Sequence, residues 1–200
     1  MLRNNVYLAY DQSGNQVAIK IYKIDRNTSK WMRPYIIGDP RFRKIPKNIS
    51  KLIFLWASKE YKNLKRAYNA GLNVPKPIHI KNNILIMEYI GSGNTPAPLL
   101  KDVKDPEDIE SLFHEVMTFI KNLYQKAHLV HADLSEFNIL YHNHKPIFID
   151  VSQAVDVRHR QAKVFLVRDI KNIVNYFNKL GIEFSESEKF FDDVISKHIS

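Results

Sequence analysis

Cysteine occurs at none of the 200 positions, which excludes disulfides and thiolate metal sites and suits a reducing compartment. Long apolar runs are missing as well. The longest, residues 52–57, falls far short of the roughly 20 residues that a membrane-crossing helix requires. Met1-Leu2-Arg3-Asn4-Asn5 has no apolar core of a signal peptide, and no internal repeat or low-complexity segment is visible. A soluble, cytoplasmic protein is expected. Acidic residues are in deficit, 21 against 30 Lys plus Arg, giving a net charge of +9 and a pI near 9.5. That balance favours polyanionic partners such as RNA or nucleotides, with neither DNA nor a membrane expected. The 44% hydrophobic content is enough for one large domain, or for two small lobes sharing a cleft.

The most informative stretch is His131-Ala132-Asp133-Leu134-Ser135-Glu136-Phe137-Asn138, followed by Phe148-Ile149-Asp150. H-x-D-x-x-x-x-N with a later aspartate is the layout of a kinase-like catalytic loop and metal loop. Phosphoryl transfer needs one carboxylate near the acceptor and oxygen ligands for a hard cation, because the protein positions groups and neutralises phosphate charge. Asp133 would face the acceptor, while Asn138 and Asp150 would hold Mg²⁺.

Around this motif the chain reads as alternating small strands and long helices. Residues 6–10 and 16–22 form a hairpin around Asp11-Gln12-Ser13-Gly14-Asn15. The strand period puts Lys20 on one face with Ala18, an arrangement that lets a flat ring approach while a lysine reaches phosphates; taken in isolation it would read as an ordinary exposed lysine on an edge strand, but here it precedes the other parts in the right order. Residues 23–51, broken by Pro34, Gly38, Pro40 and Pro46, are read as irregular, and carry nine basic against two acidic residues. Trp31, Tyr35 and Phe42 among those cations would suit stacking on unpaired bases; equally, the aromatics would tuck against the fold as part of a solvated insertion. A helix over residues 49–70 closes at Gly71, with Glu60 on the inward stripe of Leu52, Trp56, Leu64 and Ala67. Lys20 is the obvious partner for that glutamate, a neighbouring lysine of the same helix the alternative.

Strands are expected at 78–80 and 84–90, then a flexible break at Gly91-Ser92-Gly93, where a two-lobed kinase hinges but which equally suits a plain surface loop. Asp105-Pro106 reads as the start of a helix reaching residue 126. Short strands at 139–141 and 146–150 flank a turn containing His142 and His144; these and His128 and His131 read as turn residues ahead of metal ligands. Helices are expected over 161–180 and from Ser185, where Glu188 three residues later makes a capping box.

Taken together, these residues resemble the RIO family of atypical serine/threonine protein kinases, its first subfamily more than its second. The match runs through Ala18-Ile19-Lys20, Gly38-Asp39-Pro40-Arg41-Phe42, Lys59-Glu60-Tyr61-Lys62-Asn63-Leu64, Met87-Glu88-Tyr89-Ile90-Gly91, His131 to Asn138, Ile149-Asp150-Val151-Ser152-Gln153-Ala154 and Arg168-Asp169-Ile170. The resemblance implies an α+β, two-lobed protein-kinase-like fold without activation segment or peptide-binding subdomains. One RIO-type domain would cover residues 1–200, with an N-lobe to about 90, a hinge about 88–98 and a C-lobe from about 99. It implies ATP with Mg²⁺, or Mn²⁺ in its place. Lys20 would contact phosphates with Glu60 behind it; Glu88 and Ile90 would present backbone to adenine, and Val6, Ala18, Met87, Leu140 and Ile149 would complete the nucleotide site. Asp133 would accept the proton, and the position of Asp150 also takes phosphate transiently in the family. Thr28 and Ser29 would be autophosphorylation candidates, and the pre-small ribosomal subunit, its RNA or its proteins, the partner.

One departure stands out: the family's glycine- and lysine-containing phosphate loop should precede Val6, where this sequence has only Met1 to Asn5. The expectation is that in-frame codons upstream of Met1 encode it. Two other functions compete, a small-molecule phosphotransferase of kinase-like fold and an ATP-binding assembly factor without catalysis.

Overall fold

In a computed structural model, which describes residues 5–25, 28–42 and 44–196, the chain opens with antiparallel strands β1 (Asn5–Tyr10) and β2 (Gln16–Ile21). Their turn is fixed from within: the Asp11 carboxylate accepts the N–H groups of Ser13 and Asn15 at 2.9 and 2.8 Å, and Gly14 supplies the left-handed φ of +81°. Strands β3 (Pro77–Lys81) and β4 (Ile84–Glu88) complete a four-stranded antiparallel sheet in the order β1-β2-β4-β3. Its register pairs Lys20 with Val6 and Leu85, and Ala18 with Leu8 and Met87. Directly opposed residues share a face, so Val6, Ala18, Lys20 and Met87 line one side of the sheet.

The basic segment is more ordered than its prolines suggest. It contains helix α1 (Thr28–Met32) and a 3₁₀ turn at Arg33–Tyr35, and it buries Met32, Ile36, Asp39 and Phe42. Trp31 packs edge-on against Trp56 at 5.2 Å, and Tyr35 stacks on Phe165 at 5.3 Å. The aromatics therefore serve the fold: apolar packing against the helices wins over the local breakers. The side chains of Thr28 and Ser29, and all of Arg43, lie outside the described residues.

Helix α2 (Ile49–Asn69) starts from the Asn48 side chain, which accepts the Lys51 N–H at 3.1 Å, and ends as Gly71 turns left-handed at φ +75°. The stripe of Leu52, Trp56, Leu64 and Ala67 is buried, and so are three polar residues, Lys59, Glu60 and Asn63. A small hairpin, β5 (Gly91–Ser92) with β6 (Thr95–Pro96), follows the sheet. Helix α3 begins later than the sequence suggests, at Ile109, and runs to Gln125 with Asp108 as N-cap. Pro106-Glu107-Asp108 would add a turn with nothing apolar to bury, so the cap moves to the acid beside the first core residue.

Strands β8 (Ile139–His142) and β9 (Lys145–Phe148) turn through Asn143 and His144, both left-handed. β9 stops before Ile149 and Asp150, and a pair not foreseen, β7 (Leu129–Val130) with β10 (Val155–Asp156), brackets the loops on either side. Helices α4 (Ala162–Lys179) and α5 (Ser187–Ser196) close the helical part, the latter starting two residues past Ser185. Phe119 of α3 lies flat on Phe148 of β9, and Phe113 meets Phe177 of α4. The result is an α+β fold, and among the described residues no helix is long and apolar enough to cross a membrane.

Candidate active site

Lys20, on β2, reaches across to α2. Its Nζ lies 2.9 Å from both oxygens of Glu60 and 2.9 Å from Oδ1 of Asp150. Strand period and helix period cooperate here: the first aims Lys20 at the helix, the second aims Glu60 back at the strand. Lys20 is 3% exposed and Glu60 1%, so one ammonium between two carboxylates is nearly dry. Burial and the nearby Asp150 charge push the Glu60 carboxyl up to about 7, against the pull of Lys20. The two acids hold the lysine above its ordinary value despite burial, and Lys20 with the Ser152 hydroxyl draws Asp150 below the usual carboxylate range. Asp150 itself is left-handed, φ +57°, outside any strand.

The catalytic-loop motif sits between β7 and β8 and is pinned from below by α4. Asp169 accepts the backbone N–H of Ala132 at 2.7 Å and of Leu134 at 3.0 Å, while Arg168 donates to the Ala132 carbonyl and Asn172 to that of Leu134. These contacts straddle Asp133 and stabilise the left-handed Ala132, φ +65°. Burial raises the Asp169 carboxyl to about 7 in spite of its two backbone donors. His131 is no turn residue: it is buried, its Nε2 is 3.2 Å from the Ile149 carbonyl, and burial lowers it to about 4, leaving a neutral ring that joins the 131–138 loop to the loop at Ile149 and Asp150. Asn138 donates to the Asp133 carbonyl at 2.6 Å, which orients its amide. The Asp133 carboxylate is raised by burial and by the charge of Asp150, and Gln153 donates to its Oδ2 at 2.6 Å.

The remaining predicted residues fall around this centre. Ala18 and Met87 are buried on the Lys20 face and Val6 is half-exposed there. The Glu88 N–H donates to Lys76 and the Ile90 carbonyl accepts from Ala97, so two of the four backbone groups at the hinge are committed to the fold. Leu140 bridges to Leu99 just past the hinge, and the Ile149 N–H donates to Asn138 at 2.9 Å. Sequence reasoning attached no role to Asp169, Gln153, Lys59 or Asn63, although each lies in a motif that carried the resemblance. Lys59 donates to the Ser152 carbonyl at 2.8 Å, and Asn63 to that of Val151 at 2.7 Å. His144, exposed, pairs with Glu107.

Residues 5–190 match the RIO domain family profile. The chain belongs to the RIO family. Within it the similarity runs to Rio1 proteins. The RIO1 serine/threonine-protein kinase of Saccharomyces cerevisiae is 43% identical over 196 residues, 95% of this chain and 40% of that protein. The RIO-type serine/threonine-protein kinase Rio1 of Thermoplasma acidophilum is 46% identical over 167 residues, 84% of this chain and 87% of that protein. This RIO chain spans half or less of the length of several other relatives, such as 50% of the RIO1 homologue of Encephalitozoon cuniculi. In three dimensions it resembles the ADP/Mg²⁺-phosphoaspartate complex of the Rio2 kinase from Chaetomium thermophilum, with a TM-score of 0.74 at 24% identity over 97% of this chain and 58% of that one. That likeness places the fold among kinase-like folds.

Proposed function

We propose that this RIO chain is an ATP- and Mg²⁺-dependent serine/threonine protein kinase, or an ATPase with the same machinery, acting in maturation of the small ribosomal subunit in the cytoplasm. The observation that carries the reading is Lys20 held at 2.9 Å by Glu60 and by Asp150 at once, since this joins a phosphate-reaching lysine to a metal-binding carboxylate. The names of the Rio1 relatives support the kinase class. The ribosomal partner rests on the family resemblance and on the exposed lysines at 30, 44, 47 and 51.

The donor set fits magnesium. Asp150 and Asn138 offer a carboxylate and a carboxamide oxygen, and Mg²⁺ commonly takes one or two protein oxygens with phosphates and water filling the rest. Lys20 and Ser152 both engage Oδ1 of Asp150, leaving Oδ2 as the atom to meet metal or phosphate. When bound, the ion supplies charge neutralisation on the phosphates. Lys20 would bind phosphate oxygens, and the Glu88 carbonyl with the Ile90 N–H would meet the adenine edge. Asp133, raised by burial, is suited to take the acceptor's proton at neutral pH, with Gln153 holding its carboxylate in place. A carboxylate at position 150 would also accept the phosphoryl group directly: Oδ2 bonds to phosphorus as the bond to ADP breaks, and water later hydrolyses the acyl phosphate. Incubating the chain with γ-labelled ATP and Mg²⁺ should leave a hydroxylamine-labile label, and Asp150→Asn should abolish it along with Mg²⁺-dependent nucleotide binding. Label that survives the substitution places the acceptor elsewhere.

A further inference from the structure

We propose that Lys59, Asn63 and Arg41 are positioning residues that set the geometry of Asp150 by gripping the backbone just after it. The proposal rests on Asp150 being the magnesium ligand. A left-handed aspartate persists only where its surroundings over-determine it, and at φ +57° Asp150 has no strand to hold it. What holds the loop is a set of donors aimed at its carbonyls. The Lys59 Nζ, 0% exposed, donates to the carbonyls of Ser152 and Ala154 at 2.8 and 2.5 Å. The Asn63 amide, also fully buried, donates to Val151 and Ala154 at 2.7 and 2.9 Å.

Arg41 makes the arrangement one unit. Its Nη1 donates to the Asn63 side-chain oxygen at 2.7 Å, which forces the amide nitrogen toward the loop, and its Nη2 reaches the Ala154 carbonyl at 3.4 Å. Asp39 holds the guanidinium with both oxygens, at 2.9 and 2.6 Å, and also accepts the Asp156 N–H. A lysine and an asparagine, one turn apart on α2, thus occupy the carbonyls of Val151, Ser152 and Ala154, while the adjacent Glu60 holds Lys20. Helix α2 thereby fixes two parts of the site: Glu60 sets the phosphate lysine, and Lys59 with Asn63 sets the metal aspartate. Burying the Lys59 amine, which burial and the nearby Arg41 hold well below its ordinary value, costs desolvation that a methionine would avoid, and its hydrogen bonds to two carbonyls favour one loop conformation over others.

The test separates metal geometry from folding and from turnover. Lys59→Met removes both of that residue's donors, and Arg41→Gln, at a partly exposed position, keeps the test alive should the first variant fail to fold. The measurement is Mn²⁺ binding in the presence of ADP, followed by electron paramagnetic resonance, with ADP affinity in EDTA and thermal melting in parallel. The proposal expects folded variants whose metal-free ADP affinity stays within about two-fold of the parent chain while Mn²⁺ affinity drops about 10-fold or more, in the range seen when groups supporting a metal ligand are lost. Arg41→Lys should recover part of it. Folded variants with Mn²⁺ affinity equal to the parent chain overturn the positioning role and leave the nucleotide reading standing. A parent chain that binds ADP but takes up no Mn²⁺ alongside it overturns the magnesium assignment, and the positioning role with it.

Discussion

Glu60→Gln removes one negative charge from a buried cluster while keeping the side chain's shape. In the native arrangement Lys20 is shared between Glu60 and Asp150, each at 2.9 Å. Without the Glu60 charge the ammonium belongs to Asp150 alone and must be pulled from it before phosphates can be met. Breaking a buried ion pair by deleting one partner costs about 3–5 kcal/mol. Lys20 retains its second carboxylate, so roughly half of that, about 2 kcal/mol, is the expected penalty. At about 1.4 kcal/mol per factor of ten this is a fall of roughly 30-fold in kcat/KM for Mg²⁺-ATP-dependent transfer. The comparison belongs at pH 8, because burial lifts the Glu60 carboxyl to about 7 and the parent chain must carry the ionised form. Melting curves of both proteins would show whether the variant is folded. A folded Glu60→Gln with kcat/KM within two-fold of the parent at pH 8 would refute the idea that this carboxylate positions the lysine.

Two further outcomes follow from other parts of the structure. Asp156 is buried between Arg66 at 2.9 Å and Arg158 at 2.7 Å, and its carboxyl lies well below its ordinary 3.8, the hydrogen bonds from these arginines outweighing burial. A depressed acid contributes stability that is complete above the unfolded value and is lost as pH falls toward the folded one. The gap in stability between the parent chain and Asp156→Asn, measured by denaturant titration, should therefore be widest at neutral pH and close below about pH 4; a gap independent of pH would contradict the pairing. For the basic segment, neutralising Lys44, Lys47 and Lys51 together should flatten the salt dependence of single-stranded RNA binding by about 2 in log–log slope, at about 0.7 per phosphate contact. Arg41 has no place in that set, being occupied by Asp39 and Asn63. An unchanged slope would leave the lysines as solvated surface.

The parts of the site that were legible in the sequence are those with a local period or a fixed spacing. Alternation on β2 aimed Lys20, the helical stripe of α2 aimed Glu60, and the eight-residue motif placed Asp133 and Asn138 on one loop. What stayed illegible is held by long-range contacts to backbone. Asp169 meets the N–H groups of Ala132 and Leu134 across more than thirty positions, and Lys59 meets the carbonyl of Ser152 across 93. Any residue presents such a backbone group, so nothing in the target sequence betrays the contact. The order of the basic segment is hidden for a related reason, although the reading in which its aromatics tuck against the fold holds: prolines and a glycine argue against regular structure locally, whereas Trp31, Met32 and Ile36 find apolar partners only once α2 and α4 are in place. A buried lysine and asparagine on the inward stripe of α2, beside Glu60, were the one available signal of the loop grip.

The central claim is that Asp133 takes the acceptor's proton in a Mg²⁺-ATP reaction, and Asp133→Asn tests it most directly. Nucleotide binding and phosphoryl transfer would be measured side by side, by titration with Mg²⁺-ATP and by release or transfer of labelled γ-phosphate. The account predicts binding within about two-fold of the parent and transfer lower by about 10² to 10⁴, the span expected on losing a positioned base. Transfer at the parent rate in Asp133→Asn, or a parent chain that binds Mg²⁺-ATP and turns none of it over, would contradict it.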